Sequence, residues 1–456
     1  MTTLIGGEML LWSDLDGTHG PAPAGGPALR ALLAPVTGRV LVAGPHDPAL
    51  LDAMPGAEIT VLVRGVADAE TLQGRPGVTV LCGSLEKMAA LPAYDTVVAL
   101  DGLDRLISAE AEDRSWEETL GLLTALLRPG GRLLLGAENA FGLHRLVALP
   151  PEPADADWVM PGERTPAGPA RLAERLGAAG LGVTRTYAAY PGVLLGPEIL
   201  ADPSLAGYVA ATLSAAYAEA DAGLLADPVR LAAGALRHGL AADLAPSWVA
   251  VTGDGEWPDA VIGDARVDRS SLPHGRTLED LLLAACRRRD LPAVREMLTG
   301  WLDGTAAGVP ADQVVIDAVG QPTALAPAGP PLVAVRRFAG TLIRGGDANL
   351  WPAPADEAEL TAVLAAMTGR EVTALDIPPS DARPDRPDVR ELLMARDRLT
   401  RELAEARAKH EWYEQMLRSR EAELKRVQKI NAVLTATVPG RAVMSVARRL
   451  RQAVRR

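Results

Sequence analysis

The chain has 456 residues, including 44 glycines, 36 prolines and two cysteines, and its formal net charge at pH 7 is −12. This length exceeds what one hydrophobic core usually organises, so it predicts two folded domains with an appendage. Cys82 and Cys286 are too few for a disulfide scaffold or a thiolate metal cluster, which indicates a reducing, cytoplasmic location. The acidic body argues against nucleic acid as a partner.

The first half of the chain alternates between strand and helix patterns. Residues 1–38 are predicted to be a lead-in with a Gly/Pro-rich bend. From residue 39 onwards, short apolar runs indicate strands buried on both faces of a parallel sheet. The helical pattern between them is clearest at 115–127, where Ser115 can cap the helix. Residues 39–200 are therefore predicted to form a doubly wound, Rossmann-like α/β domain. The predicted strands are 39–44, 58–63, 78–82, 94–100 and 131–136.

The middle of the chain is predicted to form a second domain. Two apolar runs, 181–190 and 192–197, flank a Pro-Gly turn and are expected to pair antiparallel at the edge of the first sheet. Residues 201–376 then mix helical stretches with short strands, among them SWVAVTG from Ser247, which predicts an α+β domain. The proline-rich segment 377–388 is predicted to be a linker, because successive prolines forbid a helix.

A coiled coil is predicted at 389–436, where a seam of apolar residues recurs at alternating intervals of three and four. We expect this helix to bind a second copy of the chain or a partner helix; the alternative is an amphipathic helix packed on its own body. The seam is interrupted at Arg396, His410, Arg420 and Asn431. Its apolar members are Leu392, Leu399, Leu403, Ala406, Tyr413, Leu417, Leu424, Val427 and Leu434.

The C-terminal tail, residues 437–456, is basic. No acidic residue follows Glu423, and an apolar stripe runs among the arginines of the tail. Such a helix can lie on an anionic membrane surface, which would place the protein at the inner face of the membrane. A frayed basic terminus is the alternative.

Three segments carry a resemblance to a known family. They are YDTVVAL at 94–100, LLRPGGRLLL at 126–135 and AENAFGLHRLVALPPE at 137–152. Together they resemble class I S-adenosylmethionine-dependent methyltransferases of bacterial polysaccharide gene clusters. The coiled coil is similar to tails of actinobacterial glycan-assembly proteins. The resemblance implies a methyltransferase acting on a sugar or cell-surface glycan intermediate, with S-adenosylmethionine as cofactor.

The resemblance also implies which residues surround the cofactor, because ligands of doubly wound sheets bind at the carboxyl ends of the strands. Two positions depart from the family pattern. The glycine-rich loop contains Pro45 and Pro48, and Arg64 stands where the family has a carboxylate that accepts hydrogen bonds from the ribose. Asp101 is not at a family position but is expected to supply a substitute carboxylate from the fourth strand. The residues expected around the cofactor are Gly44, His46, Asp47, Arg64, Gly83, Ser84, Leu85 and Asp101.

Catalytic residues are not specified by the sequence. Methyl transfer needs alignment and at times a general base, for which His144, Glu138 and His46 are candidates. Each has a structural alternative: a surface residue, a helix cap and a loop filler, respectively. Given the departures in the cofactor loops, a catalytically inactive methyltransferase-fold scaffold in a glycan-assembly complex is the alternative function.

Other chemistries have weaker motifs. Asp14 and Asp16 match the nucleophile motif of haloacid-dehalogenase-like phosphatases. Residues 309–329 resemble the catalytic strands of small-molecule phosphotransferases, but Gln313 and Ala326 replace the magnesium ligands of that family, so residues 201–376 are interpreted as a degenerate phosphotransferase-like unit. The six histidines show no spacing that predicts a metal site.

Overall fold

A computed structural model describes residues 2–17, 20–88, 93–112, 114–147, 165–218, 226–351, 357–373, 376–378, 389–436 and 438–454. The chain divides into two compact units, residues 1–388 and 389–456. Most of the linker predicted at 377–388 lies outside the described residues, as does the side chain of Leu392.

The first unit contains strands and helices in alternation. Its strands are β1 (Thr2–Gly6), β2 (Gly38–Ala43), β3 (Ala57–Val63), β4 (Val78–Gly83), β5 (Tyr94–Ala99), β6 (Leu127–Glu138), β7 (Val183–Tyr190), β8 (Val193–Leu195), β9 (Ser247–Thr252), β10 (Ala260–Ile262), β11 (Ala265–Val267), β12 (Arg276–Thr277), β13 (Val314–Ile316) and β14 (Pro322–Ala324). Its helices are α1 (Pro27–Leu33), α2 (Pro48–Asp52), α3 (Val66–Leu72), α4 (Trp116–Thr124), α5 (Leu143–Val147), α6 (Pro169–Ala178), α7 (Pro197–Leu200), α8 (Ala206–Ala216), α9 (Pro228–Arg237), α10 (Leu278–Arg287), α11 (Leu291–Asp303), α12 (Pro331–Gly345) and α13 (Glu357–Met367). The second unit consists of α14 (Val389–Ala436) and α15 (Val438–Val454).

An eleven-stranded sheet organises the first unit, in the order β1-β4-β3-β2-β5-β6-β9-β7-β8-β10-β11. In the part β1-β4-β3-β2-β5-β6 of this order, every pair of neighbouring strands is parallel. The strand order reverses between β2 and β5, which is the switch point of a doubly wound sheet. The five strands predicted between residues 39 and 136 are confirmed, and so is the α/β fold class of this region.

Three sequence expectations about this sheet need correction. The lead-in is part of the sheet, because β1 pairs parallel with β4. The strand at Ser247–Thr252, assigned to a second domain, is β9 and lies antiparallel between β6 and β7. β7 and β8 pair antiparallel as predicted, but they do not form the edge, since β10 pairs with β8 and β11 lies beyond it. In each case the partner strand is distant in sequence, and apolar patterning does not specify long-range partners.

Buried apolar side chains form separate clusters. One cluster includes Leu41 of β2 and Leu120 of α4, and a second includes Val40 of β2 and Leu32 of α1. Alternate residues of β2 thus pack on opposite faces of the sheet, as expected of a strand covered on both sides. A third cluster belongs to α10–α13 and β13 and lies beside the small sheet β12-β13-β14.

Two local features of the sequence, a helix cap and a Pro-Gly-Gly segment, are seen in the first unit. Ser115 accepts a hydrogen bond from the backbone of Glu118, whose side chain in turn accepts from Ser115 N, so the predicted cap is a full capping box at α4. The Pro-Gly-Gly segment interrupts the pairing of β5 and β6: the register moves from Tyr94 opposite Leu127 to Thr96 opposite Arg132.

The second unit exposes its described side chains almost throughout α14 and α15. Among the described residues, no single helix has the length and apolar character of a membrane span. In the same part of the chain, one bent pair of helices, Leu399–Ala436 with Arg441–Arg451, is together long and apolar enough for a broken span.

Gly136 of β6 lets two strands approach closely. A Cβ atom built there would clash with the backbone of Leu100, lying 1.9 Å from its carbonyl oxygen. We predict that Gly136→Ala lowers the free energy of unfolding by about 3 kcal/mol, because backbone must move to admit the methyl group. Gly121→Ala is the matched control: a Cβ atom there, in α4, would meet nothing within 4 Å beyond its own helix, so the change should raise stability by up to about 1 kcal/mol. Chemical denaturation measures both, and equal effects would contradict the prediction.

Candidate functional site

The carboxyl ends of β2, β3, β4 and β5, here called the rim, are where a doubly wound sheet binds its ligand. In this structure residues 8–17 and 20–26, here called the strap, cross the rim. Met9 forms an isolated parallel bridge with Gly65 after β3, and Ala24 forms another with His46 after β2. The strap therefore passes over the switch point where a nucleoside would be expected.

A buried ion pair joins the strap to the end of β3. Arg64 donates from Nε to Asp14 Oδ2 at 2.7 Å and from Nη2 to Asp14 Oδ1 at 2.9 Å, the two-pronged geometry of strong arginine–carboxylate pairs. Its remaining terminal nitrogen donates to Ile107 O at 3.0 Å, and the Trp12 ring centroid lies 5.5 Å from Arg64 Cζ. The side chains of Arg64 and Asp14 are 10% and 2% exposed. Burial opposes ionisation of Asp14, but hydrogen bonds from Arg64 and Trp12 lower its pKa.

Asp68, in the first turn of α3, provides a second anchor for the strap. It accepts hydrogen bonds from Ser13 Oγ at 2.5 Å, from Asp14 N at 2.8 Å and from Leu15 N at 3.3 Å. The residue is buried. Because its carboxylate accepts hydrogen bonds from three donors of the strap, Asp68 does not face an empty ribose site.

Arg105 ties the loop after β5 to the other end of the strap. It pairs with Asp101 in two contacts, one of them from Nε to Oδ2 at 2.7 Å. It also donates to Pro21 O at 2.9 Å and to Asp14 O at 3.4 Å. Burial raises the pKa of Asp101 to about 6, although Arg105 opposes that rise.

His46 fills the switch point itself. Its Nδ1 lies 3.0 Å from Gly44 O, and its Nε2 accepts a hydrogen bond from Leu100 N at 3.0 Å. Because Nε2 is an acceptor, the proton is on Nδ1 and the ring is neutral. Burial lowers the pKa of His46 to about 4. The side chain therefore links the ends of β2 and β5, which leaves the structural interpretation of this histidine favoured over catalysis.

The other residues expected around a cofactor lie at the rim but have structural contacts. Gly44 has φ +92°, and a Cβ there would lie 3.1 Å from Leu106. Asp47 caps α2 by accepting from Ala49 N at 2.9 Å.

The loop after β4 is held by two neighbours. A Cβ at Gly83 would lie 2.5 Å from Gly6 O of β1. Ser84 Oγ accepts from Ser108 N at 3.1 Å, and Leu85 N donates to Leu106 O at 2.9 Å. The residues implied by the resemblance are thus brought together at the rim, where the strap and the loop after β5 cover them.

Glu138 and His144 are brought together at the end of β6. His144 Nε2 lies 3.1 Å from Glu138 Oε1, and Arg145 contacts the same oxygen at 2.6 Å. The hydrogen bond from His144 is the largest cause that lowers the pKa of Glu138, to about 2, with Arg145 adding to it. A carboxylate of such low pKa is a poor general base.

The weaker motifs do not assemble into a site. The phosphatase interpretation needs Asp14 as a nucleophile, yet Arg64 holds both its oxygens. Gln313 donates to Ala211 O at 2.9 Å and is buried, which gives it a structural role. Within the described ranges, no group of three or more His, Cys, Asp or Glu side chains is arranged to hold a metal ion.

Arg105 and the partner of Arg64 were not predicted from the sequence. Asp101 and Arg105 are four residues apart, which is the spacing at which opposite charges pair on a helix, but here they pair across a turn. Arg64 directly follows a predicted buried strand, and a buried arginine requires a carboxylate, so an acidic partner could have been expected. No local pattern, however, identified Asp14, which lies 50 residues earlier.

Comparisons with known proteins give weak likenesses only. No protein-family model matches the chain, and no curated protein sequence matches it. The 1,6-didemethyltoxoflavin-N1-methyltransferase of Burkholderia thailandensis is 15% identical, with 50% of this chain and 77% of that chain covered and a TM-score of 0.27. The glycopeptide N-methyltransferase MtfA, solved with sinefungin, is 14% identical over 56% and 93% of the chains, with a TM-score of 0.29. A methyltransferase from Archaeoglobus fulgidus is 13% identical over 50% and 93%, with a TM-score of 0.30. Such scores are too low to assign an activity, and the fold description rests on the strand order.

The residues at the rim do not fit S-adenosylmethionine in this arrangement. Arg64 can only donate hydrogen bonds, whereas ribose hydroxyls are best held by an acceptor, and its donors already bind Asp14 and Ile107. His46 occupies the space between β2 and β5.

His46 generates a pH prediction. Its folded-state pKa, about 4, is below the ordinary 6.5, so the stability it contributes is complete above pH 6.5 and is lost as pH falls towards 4. We predict that the wild type loses about 3 kcal/mol more than His46→Gln between pH 7 and pH 4. Urea unfolding across this range measures the difference. His410→Gln, on the exposed helix α14, serves as the control, and parallel pH profiles for His46→Gln and wild type would refute the assignment.

Proposed function

We propose that the chain is a catalytically inactive methyltransferase-fold protein that acts as a binding scaffold, in a glycan-assembly complex as the sequence resemblance implies. The observation that carries the proposal is the buried pair Asp14–Arg64, which holds the strap over the rim. A scaffold interpretation agrees with the principle that a fold hosts sites without guaranteeing chemistry.

The free-energy cost of displacing the strap favours a closed rim. A ligand in place of the strap would leave Arg64 buried without its carboxylate, which costs about 3–5 kcal/mol. The strap also loses hydrogen bonds to Asp68 and Arg105, each contributing about 1 kcal/mol net. A ligand of micromolar intrinsic affinity gains about 8 kcal/mol. These terms nearly cancel, so displacement of the strap would leave little net affinity for a nucleoside ligand.

The second candidate is an active methyltransferase that acts on a sugar or cell-surface glycan intermediate. It is favoured by the doubly wound strand order and by Gly44, whose positive φ at the exit of β2 suits a close ligand approach. On this hypothesis the strap is a lid that opens for the cofactor.

Calorimetric titration of the full chain with S-adenosylmethionine and S-adenosylhomocysteine separates the two candidates. The scaffold proposal predicts no binding at about millimolar ligand for the wild type or for Asp14→Ala. In both proteins His46 still fills the space between β2 and β5, and Arg64 cannot accept a hydrogen bond from a ribose hydroxyl. Asp14→Ala should also lower stability by about 3 kcal/mol by leaving Arg64 unpaired. Asp264→Ala is the matched control, since its pair with Arg30 is exposed, and it should change stability by less than about 1 kcal/mol.

The possible outcomes are distinct. Tight binding by the wild type would overturn the scaffold proposal in favour of an enzyme with an accessible site. Binding by Asp14→Ala alone would also overturn it and identify the strap as a lid.

We further propose that α15 binds an anionic membrane surface. Val443, Val446 and Leu450 lie on one face of the helix and are 61%, 58% and 62% exposed. Arg448 and Arg449 lie away from that face and are exposed to solvent. An apolar face flanked by arginines is the pattern of helices that lie in the membrane interface.

Vesicle co-sedimentation tests the membrane proposal. We predict binding to phosphatidylcholine vesicles that contain phosphatidylglycerol and a loss of about 30-fold in partitioning for Arg448→Gln with Arg449→Gln, at roughly 1 kcal/mol for each arginine. Arg418→Gln with Arg426→Gln removes the same charge from α14 and should leave binding unchanged. Equal losses in both double variants, or no binding to anionic vesicles, would contradict the proposal.

A further inference from the structure

Helix α14 presents a seam of exposed apolar side chains. The helix has 48 residues, and its described side chains are exposed except for Leu434, which is half-buried. Leu399, Leu417 and Val427 are 59%, 63% and 64% exposed. So many exposed large apolar side chains on one helix mark a surface that binds another molecule.

The spacing of these residues fits a two-stranded coiled coil. Leu403, Leu417 and Leu424 take the a positions of a heptad, and Leu399 and Val427 take d positions. Asn431 falls at another a position. A buried Asn at a is best satisfied by the same Asn of a parallel, in-register partner, which specifies a dimer at some cost in stability.

The charges that flank the seam are complementary in the same arrangement. In a parallel pair, a g residue of one helix faces the e residue five positions later in the other. Glu402 at g then faces Arg407 of the other copy, and Lys409 at g faces Glu414. These g and e charges are opposite and can form salt bridges between the two helices.

An antiparallel pair satisfies the sequence less well. With the seams aligned, Asn431 of one copy would lie opposite Leu399 of the other. The flanking charges do not decide between the orientations, because Glu414 would face Glu414 but Arg407 would face Glu421. The Asn431 amide does decide, because it would lack a partner, which costs about 1–3 kcal/mol in a buried position.

We propose that α14 binds α14 of a second copy of this chain as a parallel, in-register, two-stranded coiled coil. This inference goes beyond the scaffold function and does not depend on whether the rim binds a cofactor. A parallel dimer starts both α15 helices at the same end, so two arginine-rich helices can meet one surface together.

Single-cysteine variants of the full chain test orientation and register. In the parallel dimer, Leu403→Cys alone and Val427→Cys alone should each oxidise to a disulfide-linked dimer, because equivalent seam positions face each other at disulfide distance. Ala408→Cys, on the outer face of the helix, is the control and should remain unlinked. The native Cys82 and Cys286 are buried, and burial raises the pKa of each to about 11, so they compete little for oxidation.

A double-mutant cycle provides an independent readout by sedimentation equilibrium. Glu402→Lys and Arg407→Glu should each weaken the dimer about tenfold, since each change creates two like-charge pairs, and the double variant should recover most of that loss. Residues five apart do not face each other within one helix, so such recovery arises only between two chains.

Three results would overturn the proposal. They are a monomeric chain at about 100 µM, a Leu403–Val427 cross-link that forms only when the two cysteine variants are mixed, and additive losses in the cycle. The mixed cross-link would establish the antiparallel arrangement instead.

Discussion

The ion pair between Asp14 and Arg64 is the constraint on which the first unit depends. A guanidinium at the carboxyl end of β3 is buried and needs a carboxylate, and the strap supplies one. Once Asp14 is fixed, Asp68 and Arg105 hold the residues on either side of it. Arg64, at the position where the resemblance implies a ribose-binding acid, therefore anchors the protein's own chain.

The contacts of the strap and of His46 leave the rim covered. The sheet and its switch point are intact, but His46 and the strap occupy the rim. The exposed apolar and basic surfaces of the described chain are concentrated instead in α14 and α15. The proposed scaffold function would use these surfaces, with the α/β unit as a stable body, which agrees with the independence of fold and function.

The sequence predicted the local parts of this structure and missed the non-local ones. Strands β2 to β6 were predictable because strands buried on both faces of a parallel sheet have continuous apolar sequences. Helix α4 was predictable because Ser115 and Glu118 form a capping box. β1 and β9 were not assigned to the sheet, since their partners lie far along the chain. At the site, the loops that meet at the rim were predicted correctly. The strap was not, because a segment rich in glycine and proline has no periodicity that reveals where it packs.

Hydrogen–deuterium exchange of the ligand-free chain tests the central claim most directly. Met9 N donates a hydrogen bond to Arg64 O, and Asp14 N donates one to the Asp68 carboxylate. At the other end of the strap, Asp47 N donates to Ala24 O. A strap that closes the rim predicts exchange of peptides covering residues 9–16 slowed by at least about a hundredfold relative to an unstructured chain. Exchange at the rate of an unstructured chain, with β2 and β3 still protected, would contradict the account.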